Sequence, residues 1–259
     1  MNTDLIDQES DTISASTLTI RRINAPTVGT WLAQGWQTFA AAPFASFVYG
    51  ILFALACIGT LALARAMPGF TAAFLTGLLL IGPFLAAGLY VAARQHAAGE
   101  TVSIGSGLAL LWERRTNLSL FGVFLGLIMA AWVRLSALLF AVKVTTFSPT
   151  STSYLGALSG SFEPVVTGYF VLVGAILAFA VFVTSAVTVP LIIDRDAGPI
   201  VGIQTSWKAV ARNPKAMALW AGLIVALTAV GILTAFVAMV VLFPVLGYAT
   251  WYSYRSLVQ

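Results

Sequence analysis

The sequence predicts an all-α fold, a polytopic transmembrane helical bundle of six spans in three hairpins, each hairpin preceded by an interfacial amphipathic helix. Three observations carry that expectation. Only 8% of the 259 residues are charged, a third of the roughly 25% usual in soluble domains. The chain is 59% hydrophobic, with a mean hydropathy of +0.95. Several apolar runs reach the roughly 20 residues that cross a hydrocarbon core. They lack the alternation and turn spacing of outer-membrane strands, and helices satisfy their own backbone hydrogen bonds in lipid.

Met1 to about Thr19 is polar and holds four acids. No basic region leads directly into an apolar core, so this stretch reads as a disordered acidic cytoplasmic tail, not a cleavable signal peptide. Residues 20–259 form a single transmembrane helical domain. Its apolar segments run over about 44–65, 70–93, 118–141, 165–193, 216–234 and 236–257. The fourth is long enough to tilt or to extend beyond the bilayer. The last two have no polar interruption between them, so one span plus an interfacial helix rivals two spans joined by a tight turn near Thr234.

Charge decides the orientation. With six spans and both termini cytoplasmic, the inner regions hold Arg21, Arg22, Arg94, Arg114, Arg115, Arg195, Lys208, Arg212, Lys215 and Arg255, ten of the 13 basic residues. Arg65 and Lys143 fall outside, with Arg134 near the outer end of the third span. This is the bias of a protein with its N- and C-termini inside; five spans would expose Arg255 on the outer face.

The stretch DRDAGPIVGIQTSWKAVARNPK, Asp194 to Lys215, gathers six of the 22 charges because it is a cytoplasmic connection. Pro199 suits a first helical position. Ile200, Ile203, Trp207 and Val210 recur at helical spacing with Gln204, Lys208 and Arg212 facing away, which predicts an interfacial helix ended by Asn213-Pro214. PTVGTWLAQGWQTFAAAP places Val28, Trp31, Leu32, Trp36 and Phe39 on one face before Pro43. SIGSGLALLWERRTN places Ile104, Leu108, Leu111 and Arg115 on a face, with Trp112 beside it, before Asn117. Trp36, Trp112 and Trp207 thus precede their spans by similar distances and suit the headgroup level as interfacial anchors. The second helix of each hairpin carries a proline, Pro83, Pro190 or Pro244. The chain therefore reads as three repeats about an axis along the membrane normal.

VPLIIDRD (Val189–Asp196), NPKAMALWA (Asn213–Ala221) and FPVLGYATWYSYR (Phe243–Arg255) resemble a bacterial family of predicted integral membrane proteins, domain of unknown function 2189. The resemblance extends from about Ile20 onward and is most specific in the C-terminal half, at Pro190, Asn213, Pro214, Trp220, Pro244, Gly247, Trp251, Tyr254 and Arg255. It implies a multi-pass protein of the bacterial inner (cytoplasmic) membrane with no established activity. Family members often carry histidine where this chain has Tyr248 and Tyr252, which speaks against a metal or haem site.

The candidate functional polar residues are few. Arg134, inside an apolar segment, either pairs with Glu163 or snorkels to the outer interface. Asp194, Arg195 and Asp196 form either a gate or proton site, or a polar turn that stops the fourth span. His96 is the only histidine and Cys57 the only cysteine. They cannot assemble a metal site or a Ser/His/Asp nucleophile. Gly122 and Gly126 have the GxxxG spacing that lets helices approach. No catalytic residue, metal or cofactor is expected, and no nucleic acid. The partners are the lipid bilayer and, through lateral helix faces, other membrane proteins or a second copy. The expectation is a non-enzymatic accessory, assembly or scaffold protein. The alternative is a transporter or exporter of a small or amphiphilic molecule.

Overall fold

The computed structural model describes residues 18–66, 85–147 and 164–259, and they are helical with no β-strand among them. The helices are α1 (Thr27–Ala41), α2 (Pro43–Ala66), α3 (85–97), α4 (Ile104–Glu113), α5 (Arg115–Phe147), α6 (Pro164–Ser185), α7 (Thr188–Arg195), α8 (Pro199–Arg212), α9 (Pro214–Leu233) and α10 (Met239–Leu257). Residues 1–17 of the acidic tail, most of the second apolar segment with Pro83, and residues 148–163 with Glu163 lie outside the described residues.

Among the described residues, four stretches are long and apolar enough to cross a membrane: Pro43–Ala66, Arg115–Leu135, Leu172–Arg195 and Pro214–Leu233, with mean hydropathies of 2.0–2.5. Their outward residues are apolar: Phe44 is 77% exposed, Leu127 66% and Val225 68%. A helix in water buries such a face; here the protein leaves it bare.

α10 is the axis of the bundle. Its buried face runs from Met239 through Val245, Tyr248, Trp251 and Tyr254 to Leu257. α1 and α2 lie antiparallel against it, and two glycines set the distance. A Cβ on Gly35 would stand 2.7 Å from Val245 O, and one on Gly50 would overlap Val240 O. Val240 O is the carbonyl that Pro244, lacking an N–H, leaves without its helical partner. Gly50 therefore points a Cα hydrogen at an orphaned acceptor. α3 meets the same seam, with Leu89 filling the space over Gly247 and the Tyr49 ring lying on Gly88. Phe53 and Phe243 stack at 3.8 Å.

The long fourth segment is broken rather than tilted. α6 ends at Ser185 and α7 begins at Thr188. The ring of Pro190 would clash with the carbonyl four residues back, at Ala186. Ser206 of α8 fills the gap: its hydroxyl accepts from Val187 N (3.3 Å) and donates to Val183 O (2.6 Å). It thereby replaces the helical bond those two groups would share. The third segment is longer than its apolar core, since α5 continues to Phe147.

Residues 216–257 form two helices. The turn at Thr234–Ala238 contains Ala235 and Phe236 at φ 51° and 68°, and Phe236 N donates to Gly231 O at 2.7 Å. Gly231 lies directly under the Met239 side chain. Without a Cβ there, the second helix can fold back closely.

The chain ends meet. Ile20 and Val258 form an isolated antiparallel bridge, with Arg21 N donating to Leu257 O (2.9 Å) and Gln259 N to Thr19 O (3.1 Å).

α1, α4 and α8 share a pattern that the sequence reading captured only in part. At about 100° per residue, α8 has three sides. Gly202, Thr205, Ser206 and Ala209 pack on the protein. Ile200 and Trp207 (72% and 60% exposed) lead an apolar outward face, and exposed Gln204 and Arg212 lie on the third side. α4 repeats this with Gly107 inward, Leu108 and Trp112 outward, and Glu113 on the polar side. α1 does so with Trp31, Gly35 and Thr38 inward, Trp36 outward, and Thr30, Gln34 and Gln37 polar. The sides follow one another in the same rotational sense, roughly 120° apart. Trp36 is thus not on the buried face with Val28, Trp31 and Phe39, as its spacing suggested. It stacks on Phe39 from outside, at 5.4 Å.

Candidate functional site: the charged end of the bundle

The ends of α3, α7 and α10 converge on one carboxylate. Asp194, with 12% of its side chain exposed, accepts a 2.7 Å hydrogen bond from Tyr254 Oη. Three guanidinium groups surround it: Arg94 Nε at 3.5 Å, Arg255 Nη1 at 3.5 Å and Arg195 Nε at 3.9 Å. These separations exceed the 2.7–2.9 Å of a strong charge-assisted bond, so the arginines gather around Asp194 without being locked to it. Trp251, whose ring is 5.4 Å from that of Tyr254, has a buried indole N–H with no acceptor among the described residues.

Two residues along, Asp196 ends α7 in the left-handed region at φ 53°. Its carboxylate takes Arg114 Nη1 at 2.6 Å and Asn117 Nδ2 at 3.1 Å, tying α7 to the start of α5. Asn213, between α8 and α9, does the same for the chain's beginning. Its Oδ1 accepts from Ile23 N (2.8 Å), and its Nδ2 donates to Arg21 O (3.0 Å) and Ala209 O (3.1 Å). Each turn therefore carries one polar side chain that cross-links two segments distant in sequence.

A ladder of shared hydrogen bonds runs inward along α10: Trp31 Nε1 to Ser256 Oγ (2.9 Å), Thr38 with Tyr252 (2.8 Å) and Ser46 with Tyr248 (2.9 Å). Gln95 bonds Ser106 Oγ and accepts from Ser103 N, fixing the loop before α4. A 170 Å³ recess lined by Arg94, Gln95, Glu100 and Ser106 opens beside them.

Of the sequence candidates, Asp194 and Arg195 belong to the cluster and Asp196 to its neighbour. Arg134 is exposed on α5, far along the helix from that end, and its expected partner Glu163 lies outside the described residues. The motif residues do not form one site. Tyr254 and Arg255 reach Asp194, and Asn213 holds the N-terminal segment. Pro190 and Pro244 break helical bonds, Pro214 starts α9, and Gly247 admits Leu89. Trp220 packs edge-on to Trp31 at 5.7 Å. Trp36, Trp112 and Trp207 are 54%, 71% and 60% exposed, whereas Trp31, Trp220 and Trp251 are each 1% exposed. His96 belongs to the last turn of α3 rather than to a loop. Sequence reasoning missed Ser206, which carries no local signal, and it placed Arg94 by topology alone.

No curated protein and no solved structure matches the chain. The family match is narrower than the span from Ile20 onward that the motifs suggested, and it stops at Asp194, before the Asn213 and Phe243 motifs. Residues 70–194 match the family described as predicted integral membrane protein (DUF2189), the family the sequence resembles.

Proposed function

We propose that the chain is a six-span protein of the bacterial inner membrane, with both termini cytoplasmic, that works without catalysis as an accessory, assembly or scaffold protein. The observation that carries this reading is that the described polar groups pair largely with one another, Arg114 Nε and Trp251 Nε1 being the buried exceptions. The hydroxyls along α10 pair with α1 and α2, and Asp194 and Asp196 are occupied by arginines of other helices. Among the described residues no group of three metal-ligating side chains occurs.

The topology draws support from the Ile20–Val258 bridge, which requires an even number of crossings between those residues. The second helix of each hairpin would then be α3, α6–α7 and α10, with α10 crossing inside a jacket of other helices. The three-sided helices suit the rim of such a bundle, where protein, lipid and water meet. Trp36, Trp112 and Trp207 would sit at headgroup depth. Outward apolar faces on α2, α5 and α9 are the surfaces for lipid or a partner.

Purification in mild detergent after in-cell crosslinking tests this. A defined partner or a homo-oligomer is expected. A solitary monomer that moves a solute across proteoliposomes would overturn the reading in favour of a transporter. The topology is checked separately by cysteine labelling: substitutions at Arg114 and Lys208 should be modified from the same side, and labelling from opposite sides would refute six spans.

A further inference from the structure

We propose that the Arg94–Arg195–Arg255 cluster binds a phosphate-type anion at the charged end of the bundle. The charges there do not balance. Three guanidinium groups approach one carboxylate. Asp194 neutralises one of them and already spends part of its Oδ2 on Tyr254. Glu100 shares the recess beside Arg94 but makes no ion pair within 4.0 Å among the described residues. The other nearby acid, Asp196, is taken by Arg114 and Asn117. Among the side chains of the described residues one positive charge is left over even with Glu100 counted, partly offset by the negative C-terminal ends of the three helices.

Arg94 and Arg255 also keep spare donors, whereas Arg195 hydrogen-bonds Tyr254. A guanidinium offers five N–H groups in a planar fork suited to phosphate. In this cluster the arginine nitrogens paired with Asp194 stand 3.5 Å or more from it. The side chains of Arg94 and Arg255 are 40% and 57% exposed, so their remaining donors face outward. They come from the last turns of two helices, with Arg195 ending a third. Like charges held this close repel, and an anion bridging them relieves the repulsion while using the spare donors. Arg94 and Arg255 lie in the last turns of α3 and α10 with exposed side chains. A phosphodiester headgroup can therefore reach them from the membrane, and inorganic phosphate from solution. The site does not depend on whether the protein is a scaffold or a carrier.

The test uses the full chain in maltoside detergent. It is titrated in one arm with short-chain phosphatidylglycerol and in the other with inorganic phosphate. Native mass spectrometry counts adducts and thermal unfolding reports affinity. One saturable adduct is expected in at least one arm, and the arm that saturates identifies the source. Arg94→Gln and Arg255→Gln, made singly so that folding is retained, should each weaken binding about tenfold, the loss of a charge-assisted bond. Arg115→Gln removes the same charge from an exposed site stacked 4.9 Å over Trp112 and should leave binding unchanged. Absence of saturable binding in both arms, or an equal loss in Arg115→Gln, would overturn the proposal.

Discussion

Replacing Gly50 by alanine should destabilise the protein, whereas the same change nine residues along α2, at Gly59, should not. A Cβ on Gly50 would overlap the Val240 carbonyl oxygen and lie 2.7 Å from its carbon and 3.0 Å from Val240 Cα. Every obstacle is backbone, so no rotamer change relieves the clash. α2 and α10 must separate, which loosens the Ser46–Tyr248 bond and the Phe53–Phe243 stack. Overpacking of this kind costs about 1–3 kcal/mol. Nothing lies within 4 Å of a Cβ on Gly59, so Gly59→Ala shows only the helix preference of alanine, about 1 kcal/mol in its favour. Gly50→Ala gains the same preference, so the two variants should differ by the overpacking cost, about 1–3 kcal/mol. At about 2–4 °C per kcal/mol for a chain of this size, thermal unfolding followed by circular dichroism in detergent resolves that gap. If Gly50→Ala melts with or above Gly59→Ala, the close approach of α2 to the carbonyl freed by Pro244 is wrong.

Ser206→Ala should strip the partners from Val187 N–H and Val183 C=O, at about 1–3 kcal/mol for each buried group left unpaired. Hydrogen exchange around 183–190 should accelerate while α10 stays protected; unchanged exchange would mean that the hydroxyl is not what bridges the helix break. Asn213→Ala should release residues 18–24 by removing the bonds to Ile23 and Arg21. Trypsin should cut after Arg21 and Arg22 about tenfold faster, as one or two lost hydrogen bonds predict, and an unaltered rate would show that the segment is held by something else.

Much of the layout is legible along the chain because hydropathy and charge are summed locally. A run such as 44–65 reports its solvent whatever it packs against, and α2 occupies Pro43–Ala66. The helix starts at Pro199 and Pro214 were equally readable, since proline at a first helical position acts on its own residue. At Pro190 the sequence leaves a broken span and a bent one equally open. A proline inside a span is compatible with a bend or a gap, and Ser206, 16 positions later, is what stabilises the gap. The turn at Thr234–Ala238 has no glycine, asparagine or proline. Its left-handed Ala235 and Phe236 are imposed by the packing of Met239 on Gly231.

By itself the sequence determined the medium around this protein, its helical class and the gathering of its cations, because each of those depends on residue chemistry added up over a window. Only the tertiary structure decided which helix is central and which charges meet. α10 belongs to the 216–257 block that the sequence left open between two spans and one span plus an interfacial helix, yet Tyr248, Tyr252 and Ser256 on it are the groups that α1 and α2 pair with. Arg94, Asp194 and Arg255 lie far apart in the chain, and nothing local to any of them encodes the others. Their convergence follows from which helix faces can approach closely, and that is a property of glycine placement and backbone contact across the bundle.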